Sequence, residues 1–216
     1  MRTPRPPKNF WFAHLVRGTV ARLLLLLFRV RLLGAENIPE GGAVLAGNHI
    51  SYADPALLWS AAPRPTHFMA KSELWQTSFI GWGLDQFWAF PVERGRSDRT
   101  ALAKAAAYLA AGEPVAIFPE GTRNFAGDAE AQGGAAFIAA RAGVPLVPVG
   151  IDGTERIKPE GSRFIHFPRV TISVGKPVRA EDFFGLGRKE TVEAMTAEVM
   201  RRIGHEIRRA KEAEDR

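Results

Sequence analysis

Residues 43–55 read Ala43-Val44-Leu45-Ala46-Gly47-Asn48-His49-Ile50-Ser51-Tyr52-Ala53-Asp54-Pro55. The first four form an uninterrupted apolar run, which suits a strand buried on both faces. The turn that follows closes on Asp54-Pro55. Proline fits the first position of a helix, and an aspartate before it fits the cap. Strand, polar loop and helix in succession are the repeating unit of an α/β domain.

The alternation continues on both sides of this stretch. Apolar runs of strand length occupy 66–70, 88–92, 115–118, 146–151 and 170–174. Helical patterns lie between them at 55–61, 73–86, 98–111 and 133–142, the third opened by Ser97 or Asp98 and closed by Gly112. A closing segment over 189–213 sets Val192, Met195, Val199, Ile203 and Ile207 at helical spacing. The pattern predicts a single α/β domain with a mostly parallel central sheet flanked by helices. A chain of 216 residues buries one core of this kind, so one active site is expected.

Residues 9–33 are the most apolar part of the chain, yet Arg17, Arg22 and Arg29 interrupt them. A membrane-spanning helix needs roughly 20 largely apolar residues, which this segment lacks. Arg22 and Arg29 stand seven apart and share a helical face, leaving Trp11, Leu15 and most of the leucines for another. The basic leader Arg2, Arg5 and Lys8 adds attraction to anionic headgroups. These features predict an N-terminal amphipathic, membrane-associating helix within 1–33 and a catalytic domain over 34–216. The location expected is peripheral or monotopic, on the cytoplasmic face of the membrane. A helix packed on the domain's own core fits the same spacing. No small-residue cleavage site follows the leucine run, which argues against a signal peptide.

Lys and Arg number 29 against 23 Asp and Glu, a formal charge of +6 that favours anionic partners. Anionic lipid and phosphorylated substrates qualify. No nucleic-acid-binding motif is present, so nucleic acid is not expected. With no cysteine there is no disulfide, no thiolate nucleophile and no cysteine metal site.

In open α/β sheets ligands gather at the carboxyl ends of the strands, so polar groups just after apolar runs are the candidates. Histidine as a residue type titrates near neutrality, so His49 is a candidate to take a proton from a hydroxyl. Asp54 can hold its tautomer and stabilise the imidazolium. The same residues also read as a hydrogen-bonded loop histidine and a helix cap, and the fragment alone leaves both readings open. Phe118-Pro119-Glu120-Gly121-Thr122-Arg123-Asn124 follows another apolar run. Gly121 permits a tight turn there, Thr122 offers a hydroxyl, Arg123 a fork for phosphate or carboxylate, and Glu120 a partner to orient. A loop in which Glu120 merely pairs with Arg123 is the alternative. Lys71 and Arg94 also follow apolar runs and could hold a phosphate.

At these residues the sequence closely resembles the 1-acylglycerol-3-phosphate O-acyltransferase family, within the glycerolipid acyltransferases that share an H-x4-D motif. The resemblance is carried by Asn48-His49-x-Ser51-x-x-Asp54, Phe68 to Leu74, Phe79 to Gly83, Val92-Glu93-Arg94, Phe118 to Arg123 and Val144 to Val149, in that order. It implies that His49 deprotonates an acceptor hydroxyl, oriented by Asp54, for attack on an acyl thioester. Lys71, Arg94, Glu120, Gly121, Thr122 and Arg123 would bind the phosphate-bearing acceptor. The implied acceptor is a lysophospholipid, first of all 1-acyl-glycerol-3-phosphate. The donor would be acyl-coenzyme A or acyl carrier protein, with no bound cofactor and no metal. Gln132 departs from the family, standing where a lysine is common, and Asn124 stands where serine is common. Two rivals to this reading are a serine enzyme acting through Ser51, which lacks the G-x-S-x-G elbow, and a basic membrane-binding module without chemistry.

Overall fold

The computed structural model describes residues 10–93, 98–119 and 133–214, with side chains from residue 18. A seven-stranded sheet, ordered β1-β7-β6-β2-β5-β3-β4, forms its centre. The strands are β1 (Arg31–Leu33), β2 (Val44–Gly47), β3 (His67–Lys71), β4 (Ala89–Val92), β5 (Val115–Ile117), β6 (Leu146–Asp152) and β7 (Thr171–Val174). All neighbours pair in parallel except β6 with β7. The mostly parallel α/β sheet expected from the alternating apolar runs is therefore present.

Helices α1 (Phe10–Leu27) and α2 (Asp54–Ala61) cover one face of the sheet. On the other lie α4 (Arg99–Ala110), α5 (Gly134–Ala142) and α6 (Arg188–Glu214). The core divides accordingly. Leu45, Val147, Val149 and Ile151 pack under Phe28 and Leu57, while Val44, Ala46, Val115 and Leu146 pack under Ala105, Met195 and Val199. Adjacent residues of β2 thus serve opposite cores, which is why that strand reads as continuously apolar. α6 lies so close to β6 that a methyl group at Gly150 would overlap the backbone of Glu206 and Ile207.

Three local expectations are corrected. The apolar segment 9–33 is not helical throughout, because α1 stops at Leu27 and residues 31–33 form a strand beside β7. Arg29 adopts a left-handed φ of 44°, with Arg29 N–H donating to Leu26 O and Val30 N–H to Leu25 O. That is a Schellman stop made without glycine, and the strand bond from Arg31 N–H to Val170 O compensates for it. The helix expected over 73–86 divides into a 3-10 segment, Ser72–Gln76, and α3 (Ser78–Gln86), separated by extended backbone at Thr77. Asp54 is not the cap of α2. Ala53 holds that position and the carboxylate turns back onto the preceding loop.

No helix among the described residues is long and apolar enough to cross a membrane. Ala21 and Phe28 of the α1 region are buried in the core while Leu23, Leu26 and Leu27 stay exposed, so the segment packs on the domain with part of its apolar surface left outside the core.

Candidate active site

β2, β3, β4, β5 and β6 all end on the same edge of the sheet, since they run parallel. β2 stands where the chain order changes direction, with β5 on one side and β6 on the other. Loops diverge at such a point and leave a crevice. His49 lies two residues beyond the end of β2, at its mouth.

Asn48 sets the position of that histidine. Its amide donates to Ile151 O at 2.9 Å and accepts from Ile151 N–H at 2.7 Å. The buried side chain thereby imitates one more rung of the β2–β6 ladder after the backbone has turned away. His49 Nδ1 meets Asp54 Oδ2 at 2.9 Å. The imidazole stacks on Phe118 with centroids 4.5 Å apart and planes inclined by 24°, which fixes the ring's plane.

Asp54 is wholly excluded from solvent. Its Oδ2 also accepts the backbone N–H groups of Ile50 and Ser51, each at 2.7 Å. Its Oδ1 accepts the hydroxyl of Thr154 at 2.6 Å. Four donors converge on one buried carboxylate, which offsets its lost hydration. A carboxylate accepts only, so His49 Nδ1 must carry its proton toward Asp54 and Nε2 is left as an acceptor. No hydrogen-bond partner occupies Nε2 among the described residues. An imidazole held in this way can accept a proton at Nε2.

Thr154 reaches Asp54 through a sharp turn. Gly153, with φ of 94°, reverses the chain just past Asp152, and a side chain there would run into Arg169 O. The Asn48 clamp and the Thr154 contact were not anticipated. Thr154 could have been found by the rule that drew attention to His49, being a polar residue just beyond the apolar run 146–151.

Ser51 is placed differently from a nucleophile. Its hydroxyl accepts from Ala53 N–H at 3.3 Å within the turn, and no hydrogen bond joins it to His49 among the described residues. Lys71 ends β3 on the His49 edge, half exposed, with Nζ 3.5 Å from Glu73. Arg94, Glu120, Gly121, Thr122 and Arg123 lie outside the described residues, as do Asn124 and Gln132. Among the described residues no three or more of His, Asp and Glu converge as ligands for a metal.

A family model described as Acyltransferase matches residues 29–152, which span this edge from β1 to the end of β6. The 1-acyl-sn-glycerol-3-phosphate acyltransferase of Bacillus subtilis is 33% identical over 183 residues, covering 84% of this chain and 89% of its own length. The chloroplastic enzyme of that name from Arabidopsis thaliana is 29% identical over 194 residues, and the chain spans 54% of its length. Among solved structures, the 1-acyl-sn-glycerophosphate (LPA) acyltransferase PlsC of Thermotoga maritima superposes with a TM-score of 0.70 at 25% identity. That match covers 94% of this chain and 82% of that one.

Proposed function

Since the chain belongs to the acyltransferase family, we propose that it moves a fatty acyl group from an acyl thioester to the free hydroxyl of 1-acyl-glycerol-3-phosphate, giving phosphatidic acid. The observation that carries this reading is the His49–Asp54 pair at the mouth of the sheet, with the carboxylate buried and bonded by four donors and Nε2 without a partner among the described residues. The names of the relatives supply the acceptor.

In this reaction His49 Nε2 takes the proton of the acceptor hydroxyl as its oxygen attacks the thioester carbonyl carbon. The C–S bond breaks, and the departing thiolate recovers the proton from the imidazolium. Asp54 holds the ring in register and stabilises its charge while the proton is resident. Lys71, Arg94, Glu120, Gly121, Thr122 and Arg123 bind the phosphate-bearing end of the acceptor, an assignment drawn from their positions after apolar runs and from the family motif. Either acyl-coenzyme A or acyl carrier protein fits the donor role, both being anionic thioesters. Residues 1–33 serve as the membrane-associating segment and 34–216 as the transferase domain, joined where β1 enters the sheet, with the enzyme on the cytoplasmic face.

The test is thiol release by the purified protein from acyl-coenzyme A and, separately, acyl carrier protein, over acceptors with and without phosphate. Release that depends on lysophosphatidate and falls by about 10² to 10⁴ in His49→Ala is expected. Near-normal turnover by a folded His49→Ala would sink the assignment, and a preference for an unphosphorylated alcohol would move the acceptor.

A further inference from the structure

The connection from β6 to β7 returns to the sheet directly opposite its departure, because Asp152 pairs with Thr171 across the antiparallel step. It therefore stands on the same edge as His49. Its outer part, residues 157–169, has large apolar side chains at the tip, with Phe164 77% exposed and Ile165 62% exposed. Lys158, Arg163 and Arg169 accompany them, against Glu160 as the sole acidic residue of that stretch.

Hydrogen bonds hold this tip in place. His166 N–H donates to Ile157 O at 2.8 Å, and Ser162 N–H to Pro159 O at 3.0 Å. Ser162 Oγ accepts from Phe164 N–H at 3.2 Å. The loop is also tied to the end of the N-terminal helix. Arg29 Nη2 donates to Phe167 O at 2.6 Å, and the rings of Phe28 and Phe167 pack with centroids 5.5 Å apart. Leu26 and Leu27, both exposed, immediately precede Phe28. Apolar groups of the α1 end and of the loop thus lie side by side, with Arg29 bonded between them.

Apolar side chains pinned in water by a well-bonded loop mark a surface that is covered in use. Exposed aromatic and aliphatic residues with cations beside them in the chain match the boundary between headgroups and acyl chains of an anionic membrane. A lipid acceptor must also enter from the edge where His49 lies. We infer that the 157–169 loop is a second membrane-docking element, whose Phe164 and Ile165 enter an anionic bilayer and hold the His49 edge of the sheet against it. The inference rests on the lipid acceptor proposed above and on α1 lying at the same surface.

The chain has no cysteine, so Phe164→Cys carries an environment-sensitive fluorophore at one site of the full-length protein. Ala111→Cys, exposed just before β5 at the opposite edge, is the control. On vesicles of phosphatidylglycerol and phosphatidylcholine, the label at 164 is expected to shift to the blue and that at 111 to stay unchanged. The double change Phe164→Ser and Ile165→Ser should weaken vesicle binding by roughly tenfold or more, with the thermal midpoint unaltered. An aqueous signal from position 164 in vesicle-bound protein, or undiminished binding by the double variant, would overturn the inference. So would equal affinity for phosphatidylcholine alone. None of these readouts needs an acyl donor or acceptor, so a failure to acylate lysophosphatidate would count against the proposed reaction and leave the docking result intact.

Discussion

Thr154 donates its hydroxyl to Asp54 Oδ1 at 2.6 Å, and the two meet in a site closed to solvent although 100 residues separate them along the chain. The contact crosses from the loop after β6 to the loop after β2. It holds the carboxylate oxygen that faces away from His49, while the backbone of Ile50 and Ser51 holds the oxygen that faces it. Asp54 therefore has no freedom to rotate, and the orientation of the imidazole follows from that.

Thr154→Val keeps the volume and removes the donor. A hydrogen bond to a charged group contributes about 1.5–3 kcal/mol, so kcat should fall by roughly tenfold or more. Thr154→Ser restores the donor and should restore the rate. A lower melting temperature with kcat unchanged would reduce Thr154 to a structural residue.

Asp54→Asn should be folded and slow. The N–H groups of Ile50 and Ser51 require an oxygen at the Oδ2 position, so the new amide nitrogen must face Thr154, whose hydroxyl can accept from it. His49 Nδ1 then keeps its proton and its acceptor, and what is lost is the charge that stabilises the imidazolium. A fall of about 10² is expected, short of the roughly 10⁴ lost when amidation of a triad carboxylate inverts the tautomer. Nitrogen-15 spectra of the imidazole report the tautomer directly, and a proton resident on Nε2 would contradict this account. Asp54→Ala leaves the N–H groups of Ile50 and Ser51 and the hydroxyl of Thr154 without this acceptor and should lower stability as well as rate.

For the phosphate end of the acceptor, Arg123→Ala should raise KM for lysophosphatidate more than for monoacylglycerol, since a guanidinium fork recognises the phosphate and not the glycerol. Lys71 is half exposed and paired with Glu73, so Lys71→Ala should act in the same direction and less strongly. Glu73→Gln frees the ammonium group and should lower that KM. Equal changes for both acceptors would separate these cations from phosphate recognition.

Asp152 provides a pH dependence of stability. Burial pushes its carboxyl up to about 6, and the nearby Glu155 and a hydrogen bond with Glu214 act in the same direction. A raised pKa means the folded state binds this proton more tightly than the unfolded chain, so the group adds stability in acid. That contribution is lost as pH rises from the ordinary carboxylate range through about 6. Asp152→Asn keeps a polar partner for Glu214 without the charge. It should raise the thermal midpoint at neutral pH and converge on the parent near pH ~4. A gain that was larger in acid would reverse the sign assigned here.

Much of this was legible in the residues alone, for physical reasons. Strands buried on both faces must be continuously apolar, so β2 to β7 showed themselves by composition, and the polar residues just beyond them pointed to His49, Asp54 and Lys71. β1 was hidden because three residues beside a leucine-rich helix carry no period of their own, and only pairing with β7 makes them a strand. The break at Thr77 was hidden likewise, since no Gly or Pro marks it and the extended backbone there shows only in the folded chain. Spacing of five between His49 and Asp54 allowed a capped helix or a bonded pair. The tertiary structure decided between them, because β6 brings Ile151 against Asn48 and Thr154 against Asp54. Those contacts join residues about a hundred positions apart, a separation at which local propensity carries no information and only the order of strands in the sheet determines which side chains meet.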